Sequence, residues 1–352
     1  MASNYGYLNA RVRGLRVKLL DEGFAQGAID TGSFDAFVTA LAQTTYAPDL
    51  EEARARSDGL PMVDAAIASN VTRTTRALLD FAEGTPRTLL GVLLMRFDVA
   101  NLKTVARTFH ARRSEVADEA DEDARSVDED ARSVAAATLP AGELDAIVLR
   151  RMIGAADLPN AAQVLLLKGH PLAPDFRRAV QEYTASGDLL ELEIAIDLAY
   201  HRVVRETVER ESVPAAFERY LEVEVDATNL RTALKLRGLS LEPARFFIEG
   251  GRVVTRPLFV EIASAAPGAA LPPLRRPFDT LAEAANTVGI EAGVRSVLER
   301  FARTLTKDPL DIGLVTHYLH AKEREAALLR LVARGTYYGV PADRLRREIG
   351  HA

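Results

Sequence analysis

Asp226-Ala227-Thr228-Asn229-Leu230-Arg231-Thr232-Ala233-Leu234-Lys235 sets an acid, then Asn at +3, Leu at +4 and bases at +5 and +9. The same order occurs upstream as Asp98, Asn101, Leu102, Lys103 and Arg107, and downstream, with Leu in place of Asn at +3, as Glu325, Leu328, Leu329, Arg330 and Arg334. A shorter companion precedes the copies by 34, 33 and 34 residues: Val63-Asp64-Ala65-Ala66-Ile67, Leu192-Glu193-Ile194-Ala195-Ile196 and Ile290-Glu291-Ala292-Gly293-Val294. Two motifs held at one separation mark an internal repeat, and a long period of this kind decides the fold. On a helix the acid, Asn and first Leu fall on neighbouring faces, while the two bases share another. The expectation is an all-α chain built from three pseudo-threefold-related helical lobes.

Punctuation sets the lobes. Leu8, Val12, Leu15 and Leu19 recur at helical spacing, and Gly32-Ser33 starts a helix through Phe34, Phe37, Val38 and Leu41. Ser186-Gly187-Asp188 and Pro214 start two more, the second leading into the Asp226 motif. The predicted division is a first lobe at 1–113, an acidic insertion at 114–135, a second lobe at 136–240 and a third at 241–352. At most one small β-hairpin is expected, from Phe246-Phe247-Ile248 and Val253-Val254 around Gly250-Gly251.

With 48% hydrophobic residues the chain can bury a sizeable core. Its longest uncharged run, 13 residues, is too short to cross a bilayer, and no signal peptide is visible at Met1-Ala2-Ser3-Asn4-Tyr5. Absence of cysteine excludes disulfides and thiolate chemistry and suits a reducing cytoplasm. The net charge of -6 argues against nucleic-acid binding. That charge is local: residues 114–134 hold nine acids against Arg125 and Arg132, so the remainder is balanced. Asp-Glu-Asp-Ala-Arg-Ser-Val is repeated there in tandem, at 121–127 and 128–134, with too few apolar residues to anchor a helix. This stretch reads as an exposed, poorly ordered extension.

No phosphate-binding loop or nucleophile elbow is present. His317 and His320 share a helix with Glu323 and Glu325 nearby, but they lack a third committed metal ligand. Asp98, Asp226 and Glu325 form no convincing catalytic set, because catalytic sites break symmetry and these acids repeat it. Their expected role is structural charge pairing. The bases Lys103, Arg107, Arg231, Lys235, Arg330 and Arg334 have two readings: ion pairs inside each lobe, the default, or a ring of charge facing a partner. No catalytic, cofactor or metal residue is assigned.

Tyr7-Leu8-Asn9-Ala10-Arg11-Val12-Arg13, Glu222 through Thr232, Gly250-Gly251-Arg252, and Ala321-Lys322-Glu323-Arg324-Glu325 with Leu329-Arg330 together resemble the C subunit of prokaryotic V/A-type rotary ATPases. The d subunit of V-ATPases is the eukaryotic counterpart. The likeness runs from about Tyr5 to about Arg346; the acidic duplication departs from it. What the resemblance implies is a funnel of three lobes and a peripheral place on the cytoplasmic side of the membrane. It implies a non-catalytic part of the central stalk whose partners are the D and F subunits of the shaft and the proteolipid rotor ring, with no direct small-molecule substrate. Rotation would pass through it during ATP-linked proton or sodium transport. Arg11, Arg13, Tyr337 and Tyr338 are candidate interface residues, since Arg and Tyr are favoured there; burial is an equal reading of the tyrosines. The competing function is a helical-repeat adaptor for soluble partners that docks through its acidic segment.

Overall fold

The computed structural model describes residues 4–118, 137–211, 213–283, 287–308 and 310–349. These residues form fifteen α-helices and three short 3-10 turns, with no strand among them. The helices are α1 (Tyr5–Arg16), α2 (Glu22–Asp30), α3 (Phe34–Leu41), α4 (Ala47–Arg54), α5 (Gly59–Phe81) and α6 (Thr85–Asp118). Then come α7 (Ala146–Ile153), α8 (Leu158–Lys168), α9 (Ala173–Ser186), α10 (Leu189–Arg210) and α11 (Ala215–Leu236). Last are α12 (Arg256–Ser264), α13 (Thr287–Thr304), α14 (Gly313–Tyr337) and α15 (Ala342–Ile349). The chain is all-α.

Helix starts follow local chemistry. Ser33 and Asp188 cap α3 and α10, accepting hydrogen bonds from Ala36 N and Glu191 N. Asp21, Asp145 and Asp157 cap α2, α7 and α8 in the same way. Each such cap stabilises its helix by about 1 kcal/mol. Backbone of the acidic stretch continues α6 as far as Asp118; residues 119–136 lie outside the described residues.

Two compact units emerge, and they do not follow chain order. One comprises Met1–Thr74, Asp80–Pro86 and Val213–Ala352; the other comprises Thr75–Leu79 and Arg87–Ser212. In the first, Phe247, Phe259, Phe278, Leu230 and Val294 belong to one buried cluster, and Leu8, Phe37, Ile67, Val315 and Leu329 are buried as well. In the second, Leu90, Leu102, Leu149, Leu165, Phe176 and Ile196 are buried. Burying one such side chain contributes about 2 kcal/mol.

The small hairpin allowed for around Gly250-Gly251 is not formed. Pro243–Phe246 makes a 3-10 turn, and 247–255 runs as irregular backbone with Phe247, Ile248 and Val254 buried. Its buried peptide groups need partners. They find them on side chains of α11 instead of a neighbouring strand.

Candidate functional site

The three repeated acids are almost entirely buried: Asp98 is 0%, Asp226 1% and Glu325 3% exposed. A carboxylate in that position is costly unless it is fully hydrogen-bonded. Each one accepts backbone N–H groups from a segment distant in sequence. Asp98 on α6 takes Leu144 N on Oδ1 at 3.0 Å and Glu143 N on Oδ2 at 2.9 Å. His170 completes this set: Leu172 N donates to its Nδ1 at 3.2 Å, so Nε2 carries the proton and donates to Asp98 Oδ2 at 3.2 Å. Asp226 on α11 accepts from Arg252 N, Val253 N and Val254 N at 2.8 to 3.1 Å. Glu325 on α14 accepts from Leu20 N at 2.7 Å.

Leu144, Val254 and Leu20 are equivalent positions. Each directly precedes the N-cap residue of a short helix: Asp145 before α7, Thr255 before α12 and Asp21 before α2. The acid of the first copy therefore holds the entry to α7, which follows it in the chain; that of the second holds α12. The third reaches back to α2. These are joints between successive copies, built from buried hydrogen bonds.

The Asn at +3 strengthens two joints. Asn101 donates to Leu139 O and accepts from Leu139 N, both at 2.8 Å; Asn229 clasps Ile248 likewise at 2.7 and 2.9 Å. Three residues beyond each clasped residue stands a glycine, Gly142 or Gly251. A Cβ there would lie 2.3 Å from Asp98 Oδ1 or 2.2 Å from Asp226 Oδ1. The third copy has Leu328, which is buried and makes no clasp. Replacing Asn229 with Leu, the third copy's solution, should strand the N–H and C=O of Ile248 and cost about 2–4 kcal/mol. Amide hydrogen exchange at Ile248 would report it as faster exchange.

Glu325 instead has ionisable neighbours. Lys322 Nζ donates to Glu325 Oε2 at 2.5 Å and to Tyr46 Oη at 3.0 Å, and Tyr46 Oη donates to Glu325 Oε2 at 3.0 Å. All three residues are buried. Burial pushes Lys322 below its ordinary value despite the facing carboxylate; burial and then Glu325 push the Tyr46 phenol far up.

The bases pair with the companion motif of the following copy, not with acids of their own motif. Arg107 forks onto Glu193 at 2.6 and 2.8 Å, and Lys103 reaches Asp197, one turn further along α10, at 2.6 Å. Arg330 and Arg334 share Asp64 on α5 at 3.7 and 3.3 Å. For Arg231 and Lys235 the corresponding acid is Glu291, whose side chain lies outside the described residues. Such partly exposed pairs contribute little, about 0–1 kcal/mol each. The buried acids hold the joints; the bases trim them.

The remaining sequence candidates are dispersed. Arg11 lies over the Phe81 ring at 4.2 Å, while Arg13 is exposed on α1. Tyr337 and Tyr338 are 48% and 70% exposed at the end of α14. His320 Nε2 meets Tyr220 Oη at 2.7 Å; Nδ1 of His317 is buried without a hydrogen-bond partner, and burial with Arg16 and Arg303 lowers its pKa.

Gly142, Tyr46 and His170 also belong to these joints, as does Lys322, which the resemblance includes without giving it a role. Lys322, three residues before Glu325, had a local signal in its i, i+3 spacing. Tyr46 had none.

His201 on α10 supplies a pH test. Burial, with Lys103 nearby, lowers its pKa from 6.5 to about 4. Its folded-state value is depressed, so below 6.5 the unfolded chain takes up a proton that the folded chain refuses. Stability of the second unit should fall by about 3 kcal/mol as pH drops through that window. In His201→Gln this component of an acid titration followed by amide exchange in α10 should disappear.

Among the described residues no helix is long and apolar enough to cross a membrane. Residues 8–348 match the family described as ATP synthase (C/AC39) subunit. The chain is 34% identical to the V-type ATP synthase C subunit of Deinococcus radiodurans over 350 residues, covering 99% of this chain and 92% of the relative. It is 35% identical to the V-type ATP synthase C subunit of Thermus thermophilus over 350 residues, 99% of each. The A-type ATP synthase C subunit of Halorubrum lacusprofundi is 29% identical over 369 residues, covering 99% of this chain and 98% of the relative. Matched along nearly its whole length, and jointed where its repeats recur, this chain belongs to the ATP synthase (C/AC39) subunit family.

Proposed function

We propose that the chain is a non-catalytic rotor component of the central stalk, joining the D and F subunits of the shaft to the proteolipid ring at the cytoplasmic face of the membrane. Family membership over residues 8–348 is the observation that carries this reading. The joints support it physically. A part that transmits torque must resist deformation, and buried, fully satisfied hydrogen bonds yield less readily than exposed ion pairs. In this reading the lobes at 1–113, 136–240 and 241–352 are the mechanical units, and ion selectivity belongs to the membrane-embedded parts.

Depletion of the protein tests the proposal. ATP hydrolysis by the detached head should persist, while ATP-driven ion transport into membrane vesicles should be lost. Undiminished transport after verified depletion would refute it.

A further inference from the structure

The geometry points to the groove between α14 and α15 as a docking surface for an acidic amphipathic helix of a partner protein. The groove has a volume of about 600 Å³ and lies wholly within one compact unit. Its apolar lining is Ala327, Leu331, Val340 and Leu345, and Tyr338 lines it as well. α15 is seated directly on α14: a Cβ on Gly335 would lie 2.2 Å from a methyl carbon of Leu345. Packing that close makes the groove preformed.

Aromatic rings continue from the groove along the end of α14. Phe34 holds the Tyr337 ring edge-on at 5.1 Å, and Tyr338 stands edge-on to Tyr337 at 5.2 Å. Tyr338 remains 70% exposed beside that contact. Exposed tyrosine beside arginine is the composition from which interface hot spots are drawn.

Charge selects the occupant. Arg330 and Arg334 line the groove yet share one carboxylate, Asp64, at long distances, whereas Arg107 has a carboxylate to itself. Arg344, exposed on α15, has no carboxylate within ion-pair distance among the described residues. Glu348 is the single acid lining the groove. Three guanidiniums around one such acid leave unused donors in the planar geometry that accepts carboxylates. α15 spans about 12 Å, so the groove admits two to three turns of a helix presenting apolar side chains to the apolar lining and carboxylates to the arginines.

The test uses the full chain and a fluorescent helical peptide of about 16 residues, Leu on one face and Glu on the other, read by anisotropy. The acidic peptide should bind, and added salt should weaken it. Tyr338→Ser and Arg344→Glu should each lower its affinity about tenfold, with helical circular dichroism unchanged. Absence of binding, equal binding of the Lys-for-Glu peptide, or unaltered binding by both variants would overturn the inference. So would self-association of the chain that Tyr338→Ser abolishes, since the occupant would then be a second copy.

Discussion

Gly251→Ala should destabilise the unit containing α11 by about 4 kcal/mol, in the range reserved for broken buried networks. The added methyl would stand 2.2 Å from Asp226 Oδ1 and 2.8 Å from its Cγ. The carboxylate has nowhere neutral to go: it is 1% exposed and holds Arg252 N, Val253 N and Val254 N. Moving it takes the acceptor from the buried Val254 N–H and from the part-buried N–H groups of Arg252 and Val253; an unsatisfied donor costs about 1–3 kcal/mol when buried. Asp226→Ala removes the obstacle, so adding Gly251→Ala to it should cost little more. That non-additivity is the signature of contact. The chain divides into two compact units, so the loss is best read residue by residue. Exchange at the Val254 amide should accelerate while amides in α8 and α9 keep their protection. Additive losses, or a Gly251→Ala loss below about 1 kcal/mol, would contradict the joint. Gly142→Ala should act equivalently in the other unit through Asp98.

Lys322→Met should cost about 3–5 kcal/mol by leaving the Glu325 carboxylate buried beside Tyr46 without its cation. Adding Glu325→Gln should recover much of that loss, because a neutral amide still accepts from Leu20 N. The pH dependence has a definite sign. Burial holds Lys322 below 10.5, so between its folded value and 10.5 the unfolded chain binds a proton the folded chain lacks, and stability rises with pH. Tyr46 is raised above 10.0, so beyond that pH the unfolded chain releases a proton the folded chain keeps, and stability falls. Lys322→Met should erase the rise and retain the fall. Exchange at the Leu20 amide, measured across alkaline pH, separates the two.

Much of the fold was legible because its signals are local. The +3, +4, +5 and +9 spacing is a property of one helix, and the 33 to 34 residue separation exposes the repeat without any coordinate. Even the distinct third copy was visible, with Leu328 where Asn101 and Asn229 stand. The hairpin allowed for around Gly250-Gly251 does not form, for a physical reason. Val253, Val254 and Ile248 look strand-like, but Asn229 and Asp226 answer their peptide groups from 19 to 28 residues away.

The acids were placed correctly on their helices, but charge pairing describes only Glu325 with Lys322 and misses what the three have in common. Their shared partners are backbone N–H groups, and every residue but proline has one, so no sequence pattern marks them. The bases offered the opposite problem. Their common face was evident, whereas the identity of the facing helix, α10 for Arg107 and α5 for Arg334, is set by packing. By itself the sequence determined helicity, the threefold repetition and the family, all of which depend on neighbours along the chain. Only tertiary structure decided that each copy fastens the next, because that depends on which buried amide lies within reach of each carboxylate.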